Sequence, residues 1–149
     1  KVVLSWAPHP KALPQAVANS FVNMMKELDV EFLITHPKGY ELNPIITKDV
    51  TINYHQEEAL LNADFVYTKN WSSYHDYGKV LTTDKNWMLT KEKICNAKFM
   101  HCLPVRRNVV VEDAVLDSEN SVVIQQANNR TFAAQVVLKN ILKTLQWKH

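Results

Sequence analysis

Lys98-Phe99-Met100-His101-Cys102-Leu103-Pro104-Val105-Arg106-Arg107-Asn108 sets the pattern of the chain: a short apolar run, then with no spacer a polar stretch holding two arginines. The pattern returns at Ser121-Val122-Val123-Ile124, which leads into Gln126-Ala127-Asn128-Asn129-Arg130. Lysine and arginine total 17 in the 149 residues, and Arg106, Arg107 and Arg130 are the only arginines. Lysine suffices for a solvated surface, whereas the rigid guanidinium fork matches carboxylate and phosphate. Arginines confined to two strand exits therefore indicate a bound anion. Chance placement with ordinary surface ion pairs is the competing reading, and such pairs contribute little.

Working outward, further strand-like runs appear at Val2-Val3-Leu4-Ser5-Trp6, Val30-Glu31-Phe32-Leu33-Ile34-Thr35, Val50 to Tyr54 and Asp64-Phe65-Val66-Tyr67-Thr68, with the quoted runs as a fifth (98–103) and a sixth (121–124). Helical spacing lies between them: Val17, Phe21, Met24, Met25 and Leu28, then Gln56 to Asn62, then Glu112 to Leu116. A final helix is predicted from about Asn129 to Leu145. Its apolar residues Phe132, Val136, Val137, Ile141 and Leu145, widened by Leu138 and Leu142, exceed what one packing surface needs. Pro8, Pro10 and Pro14 keep the stretch after the first strand extended and stiff. The segment from Lys69 to about Thr90 fits neither helix nor strand, and loops of such length are usually functional. Alternating strands and helices predict an α/β fold, a doubly wound parallel sheet with helices on both faces, which gathers its ligands at the carboxyl ends of the strands. Trp6 to Pro14, Lys69 to Ser73, His101 to Arg107 and Gln126 to Arg130 would then line one edge.

Composition narrows the function. A chain of 149 residues with 46% hydrophobic content can bury one core, and a single domain is expected. No apolar run reaches a membrane span and no signal peptide is visible. The net charge of +2 is spread over separate lysines, unlike a nucleic-acid surface. Cys95 and Cys102 form no C-x-x-C pair, so neither a disulfide framework nor a metal site is expected, and a reducing cytoplasm fits. With only Gly39 and Gly78, neither a dinucleotide fingerprint nor a Walker loop can form. No cofactor is expected. The first strand begins almost at residue 1, which is the expectation for a domain with more chain upstream.

His101-Cys102-Leu103-Pro104 followed by arginines, with Asn129-Arg130 further on, resembles the second half of an ornithine-type transcarbamylase. Trp6-Ala7-Pro8-His9-Pro10, Thr35-His36-Pro37-Lys38-Gly39-Tyr40-Glu41-Leu42 and Lys69-Asn70-Trp71 narrow the likeness to the N-acetylornithine and N-succinylornithine carbamoyltransferases. Residues 1–146 then correspond to the second, acylornithine-binding domain, and 147–149 stand apart as a foreign tail. Those enzymes are about twice as long. Their first half supplies the Ser/Thr-Arg-Thr phosphate loop and a His-Pro-x-Gln segment, neither of which occurs here, so the domain alone is expected to be inactive.

The resemblance implies roles. Cys102 and the main-chain carbonyl of Leu103 would hold the attacking side-chain amine, with a cis bond before Pro104 turning that carbonyl out of the sheet. Arg130 would meet the phosphate of carbamoyl phosphate at the start of the last helix, where free amides also favour an anion. Arg106 would take the substrate carboxylate; spacing alone does not decide whether Arg106 or Arg107 faces inward. His101 and Asn19 would complete the substrate contacts. Lys69 stands where ornithine-specific relatives carry an aspartate for a cationic α-amino group, and an N-acylated ornithine has no such charge. Alone, each has an ordinary reading: a buried strand cysteine for Cys102, a helix-start ion pair for Arg130, a loop lysine for Lys69, a solvent-facing asparagine for Asn19. A Cys-His nucleophile pair is disfavoured, because adjacent strand residues His101 and Cys102 point to opposite faces. Some acetylornithine members carry a carboxylated lysine just after the double arginine, whereas Asn108-Val109-Val110-Val111 follows here, so acetyl and succinyl both stay open. The resemblance also implies a deep trefoil knot, the loop from Trp6 to Gln15 being threaded by the region from Lys69 to Thr90, and a homotrimeric parent. The isolated domain is expected as a monomer or dimer.

Overall fold

Residues 1–144 are described by a computed structural model; the expected tail at 147–149 and the end of the last helix at Leu145 lie outside the described residues. Five strands, β1 (Val2–Trp6), β2 (Phe32–Thr35), β3 (Thr51–Asn53), β4 (Phe65–Lys69) and β5 (Lys98–Met100), form one parallel sheet in the order β3-β2-β1-β4-β5. β1 is central and covered on both faces, which is why its sequence is almost wholly apolar instead of alternating. Val3, Leu33, Val66 and Phe99 meet in one core, and Leu4, Trp6, Ile34 and Tyr67 in the other.

Helices cover both faces, as expected. α1 (Ala16–Lys26) places Ala18 and Val22 in the second core, and Ile46 of the short α2 (Pro44–Thr47) packs there too. α3 (Gln56–Leu60), α4 (Lys91–Ile94) and α5 (Asp113–Leu116) add Ala59, Leu60, Ile94 and Val115 to the first core. Sequence periodicity missed α2 and α4, each only four residues long. The region from Lys69 to Thr90 is irregular past β4, save one 3-10 turn at Lys85–Trp87.

The expected sixth strand at 121–124 is not formed. Phe99 donates to Asn120 O at 2.8 Å and accepts from Val122 N–H at 2.9 Å, and pairing stops at that bridge. The last helix, α6 (Val123–Thr144), starts six residues before the expected position. Nothing between Ser121 and Thr144 interrupts a helix, since no glycine or proline occurs there. Val123 is buried, but from Ala127 onward α6 is exposed, including Phe132, Val136, Val137, Leu138, Ile141 and Leu142. β5 also ends at Met100, so His101, Cys102 and Leu103 belong to the turn beyond it.

Candidate functional site

From β1 the sheet grows one way through β2 and β3, then the chain crosses back so that β4 pairs with the other side of β1. The carboxyl ends of β1 and β4 therefore mark the topological switch point, where an open α/β sheet leaves a crevice. Trp6 pairs in register with Lys69, and Ala7 N–H donates to Lys69 O at 3.2 Å.

The proline loop is fastened to the segment after β4. Asn70 Nδ2 donates to Ala7 O at 2.8 Å and Asn70 Oδ1 accepts from Leu13 N–H at 3.3 Å. Ser72 donates to Leu13 O through both its N–H and its hydroxyl, each at 2.8 Å. Trp6 Nε1 donates to Trp71 O and Trp71 Nε1 to Tyr40 O. Buried amide and indole donors satisfied this way hold an otherwise irregular loop in one arrangement.

Arg106 Nε donates to His9 Nε2 at 3.0 Å. For Nε2 to accept, the ring proton sits on Nδ1, which donates to Lys11 O at 2.9 Å. Arg107 turns the other way: it grips Asp117 bidentately at 2.7 Å and reaches Asp113 at 2.8 Å. Hydrogen bonds from Arg107 hold both carboxyls below the usual carboxylate range. Of the two arginines, Arg106 lies toward the proline loop and the crevice, while Arg107 is spent on α5.

His101 is buried, and its Nδ1 accepts from Leu103 N–H at 3.0 Å. The neutral ring therefore carries its proton on Nε2. Burial, and secondarily the Lys69 ammonium, lower its pKa to about 4. Leu103–Pro104 is a cis peptide bond, as the resemblance implies, and Leu103 has a φ of 49°. Cys102 is partly buried beside the core that contains Tyr67, whose hydroxyl is pushed up by burial first and by Cys102 next. On α1, the buried Asn19 Oδ1 has no hydrogen-bond partner. At the β4 exit Lys69 is half-buried.

Lys69, His101, Leu103 and Arg106 thus gather around the switch point. Arg130 does not start its helix. It lies about two turns inside α6, exposed, and makes no hydrogen bond or ion pair among the described residues, so free helix-start amides do not assist it. Two contributors carried no assigned role in the sequence reading. His9 was legible in principle, as a polar residue between two prolines at the exit of the central strand. Lys93 was not: its Nζ donates to Gln56 Oε1 at 2.8 Å, to Met88 O at 3.2 Å and to Asn86 O, tying the 3-10 turn to α3 from α4. Burial lowers the Lys93 pKa. Among the described residues no helix is long and apolar enough to cross a membrane and no cluster of His, Cys, Asp or Glu could hold a metal.

A sequence model described as "Aspartate/ornithine carbamoyltransferase, Asp/Orn binding domain" matches residues 14–141. The chain is 51% identical to the N-succinylornithine carbamoyltransferase of Bacteroides fragilis over 97% of its own length and 47% of that protein. It is 48% identical to the Bacteroides thetaiotaomicron protein of the same name, over 98% of this chain and 48% of that one. A crystal structure of an N-acetyl-L-ornithine transcarbamylase mutant complexed with carbamyl phosphate and N-succinyl-L-norvaline superposes with a TM-score of 0.82 at 30% identity, covering 87% of this chain and 46% of that one. The chain spans about half the length of the curated relatives it matches. Its parallel sheet, the cis turn after β5 and these matches together establish that the chain belongs to the aspartate/ornithine carbamoyltransferase family, within the Asp/Orn binding domain.

Proposed function

We propose that this chain is the N-acylornithine-binding half of a carbamoyltransferase that moves a carbamoyl group from carbamoyl phosphate to the side-chain amine of an N-acylated ornithine. The observation that carries this reading is the convergence of Lys69, neutral His101, the cis Leu103–Pro104 turn and the Arg106–His9 pair at the switch point. In the reaction the amine nitrogen attacks the carbonyl carbon, the bond from that carbon to the phosphate oxygen breaks, and phosphate leaves with the proton the amine loses. The Leu103 carbonyl and Cys102 accept from the amine and orient its lone pair without adding a charge that would keep it protonated. His101, with its proton on Nε2, donates to the carbonyl oxygen as negative charge develops there.

Arg106 supplies the carboxylate clamp, and Lys69 a second cation where a free α-ammonium would be repelled. An N-acyl amide avoids that repulsion, and the unpartnered Asn19 Oδ1 offers its N–H an acceptor. Arg130 is assigned to the phosphate of carbamoyl phosphate through its side chain alone. The names of the two Bacteroides relatives favour a succinyl substrate over the acetyl substrate of the relative at 30% identity. We also assign the chain the trefoil threading of residues 69–90 through loop 6–15, a reading supported by the buried bonds between Asn70, Ser72 and the proline loop; a chain trace from diffraction, shrunk from both ends, either keeps or frees the knot. The domain on its own is read as catalytically silent, and its parent as a homotrimeric enzyme of the cytoplasm.

Calorimetric titration of the purified chain with N-succinyl-L-ornithine tests the reading, alongside an assay for the carbamoylated product from carbamoyl phosphate. The expected result is saturable binding, weakened by Arg106→Ala, with no turnover above a Cys102→Ala control. Absence of saturable binding sinks the assignment, and turnover abolished by Cys102→Ala overturns the silence of the isolated half.

A further inference from the structure

From Ala127 to Thr144 helix α6 stands clear of its own domain, and its composition is one-sided. It carries Arg130, Lys139 and Lys143 and not one Asp or Glu. These cations make no ion pair among the described residues. Around them Phe132, Val136, Val137, Leu138, Ile141 and Leu142 are each 49–59% exposed.

The end of α1 and the turn after it have the complementary composition. Met24, Leu28 and Val30 are 42–59% exposed. They are interleaved with Glu27, Asp29 and Glu31, all exposed and without an ion pair among the described residues. Lys26, the one cation of the stretch, is turned to Ile46 O at 3.4 Å. Through Met24 the patch continues into a groove of about 440 Å³ lined by Ala16, Val17, Ser20, Phe21 and Tyr67. In its own chain α6 does not cover this patch: Val123 anchors its first turn in the first core, whereas α1 packs through Ala18 and Val22 into the second, on the other face of the sheet.

We infer that α6 docks along α1 and residues 27–31 of a second copy of this chain, and that the second copy returns the same contact, giving a twofold dimer. Lys139 and Lys143 meet Glu27, Asp29 and Glu31, while the apolar residues of α6 close over Met24, Leu28 and the groove. Complementary charge selects this partner face: α6 packed on another α6 brings only cations together. The exposed part of α6 is about 27 Å long, enough to cross the about 16 Å of α1 and reach the turn beyond it. At roughly 60–120 Å² for each large apolar side chain, one such contact falls short of the about 1,200 Å² at which specific interfaces begin, and two reciprocal contacts reach it. The dimer is independent of the N-acylornithine reading, since it uses none of Lys69, His101, Leu103 and Arg106.

Sedimentation equilibrium of the purified chain between about 1 µM and about 300 µM tests this, and the wild-type mass is expected to rise from one chain to two. A patch variant carrying Glu27→Lys, Asp29→Lys and Glu31→Lys should weaken the association about tenfold or more, and so should a helix variant carrying Lys139→Glu and Lys143→Glu. All five positions are exposed, and circular dichroism checks that both variants are folded. An equimolar mixture of the two variants should recover the two-chain mass, because each then offers the charge that the other lacks. A wild type that stays monomeric throughout overturns the inference and leaves α6 to a partner other than this chain. A dimer untouched by the patch variant overturns it in favour of α6 pairing with α6. A mixture that stays monomeric removes the charge match, and a three-chain mass replaces the reciprocal contact with a head-to-tail ring.

Discussion

Arg106 and His9 stand 97 residues apart in sequence and meet through one hydrogen bond, Nε to Nε2, at 3.0 Å. The bond joins the turn after β5 to the loop after β1, the two segments that flank the switch point. It also orients the guanidinium while leaving its Nη groups without a hydrogen bond among the described residues, so a carboxylate can take the fork without displacing His9.

The neighbouring arginines should therefore separate in experiment. Arg106→Ala is expected to weaken N-succinyl-L-ornithine about tenfold or more, the usual cost of losing a charged hydrogen-bond partner. Arg107→Ala should leave that affinity within about twofold, because its donors are occupied by Asp113 and Asp117. Side-chain NMR titration of Arg107→Ala should show both carboxyls returning toward the ordinary carboxylate range. Equal losses of affinity in the two variants would contradict this division.

Acid should destabilise the fold through His101. Its pKa falls from 6.5 unfolded to about 4 folded, so between these values the unfolded chain binds more protons than the native one. The His101 contribution is complete above pH 6.5 and is lost as pH falls toward 4, on the order of 3 kcal/mol in all. Urea midpoints at pH 7 and pH 5 should differ more for the wild type than for His101→Gln. A His101 ring resonance titrating near 6.5 in the folded chain would rule the explanation out.

Trp71 should be the costliest single residue of the crevice wall. It is fully buried, donates to Tyr40 O and accepts from Trp6 Nε1 through its own carbonyl. Trp71→Ala is expected to lose about 3–5 kcal/mol in denaturant unfolding through the cavity left behind. Trp71→Phe keeps most of the ring volume but strands the Tyr40 carbonyl, and should lose about 1–3 kcal/mol. A cost below 1 kcal/mol for the alanine variant would mean that the segment after β4 is not packed as described.

These residues also mark the limit of what could be read from the sequence. β1 and β4 were legible because central parallel strands are continuous apolar runs, and the proline loop because proline excludes a helix. His101 to Arg106 were legible as a motif at a strand exit. The run Ser121 to Ile124 was not, since a short apolar run has the same composition in a buried strand as in the first turn of a buried helix. Here the unbroken helical sequence beyond it prevails, and Arg130 moves with the helix away from the expected helix start. Lys93 and His9 act through partners 37 and 97 residues away, a kind of information that periodicity does not carry. Asn19 was placed on the right helix, but only the fold reveals that its carbonyl oxygen is buried without a partner.

Helix α6 should be the least protected element in hydrogen exchange. Beyond Ala127 its residues are exposed on every side, so its amides rely on the helix alone, and isolated helices of this length are marginal in water. Amides of residues 128–144 are expected to exchange at least about a hundredfold faster than those of β1 and β4, which open only with the core. The large apolar residues from Phe132 to Leu142 form a face that a second copy could cover, and then protection should rise with protein concentration. Phe132→Glu should abolish any such rise while leaving the urea midpoint of the dilute chain within about 0.5 kcal/mol of the wild type, as for other exposed positions. Strong protection of α6 at low concentration in both proteins would show instead that the helix packs against its own domain, and that the early start at Val123 is not the conformation in solution.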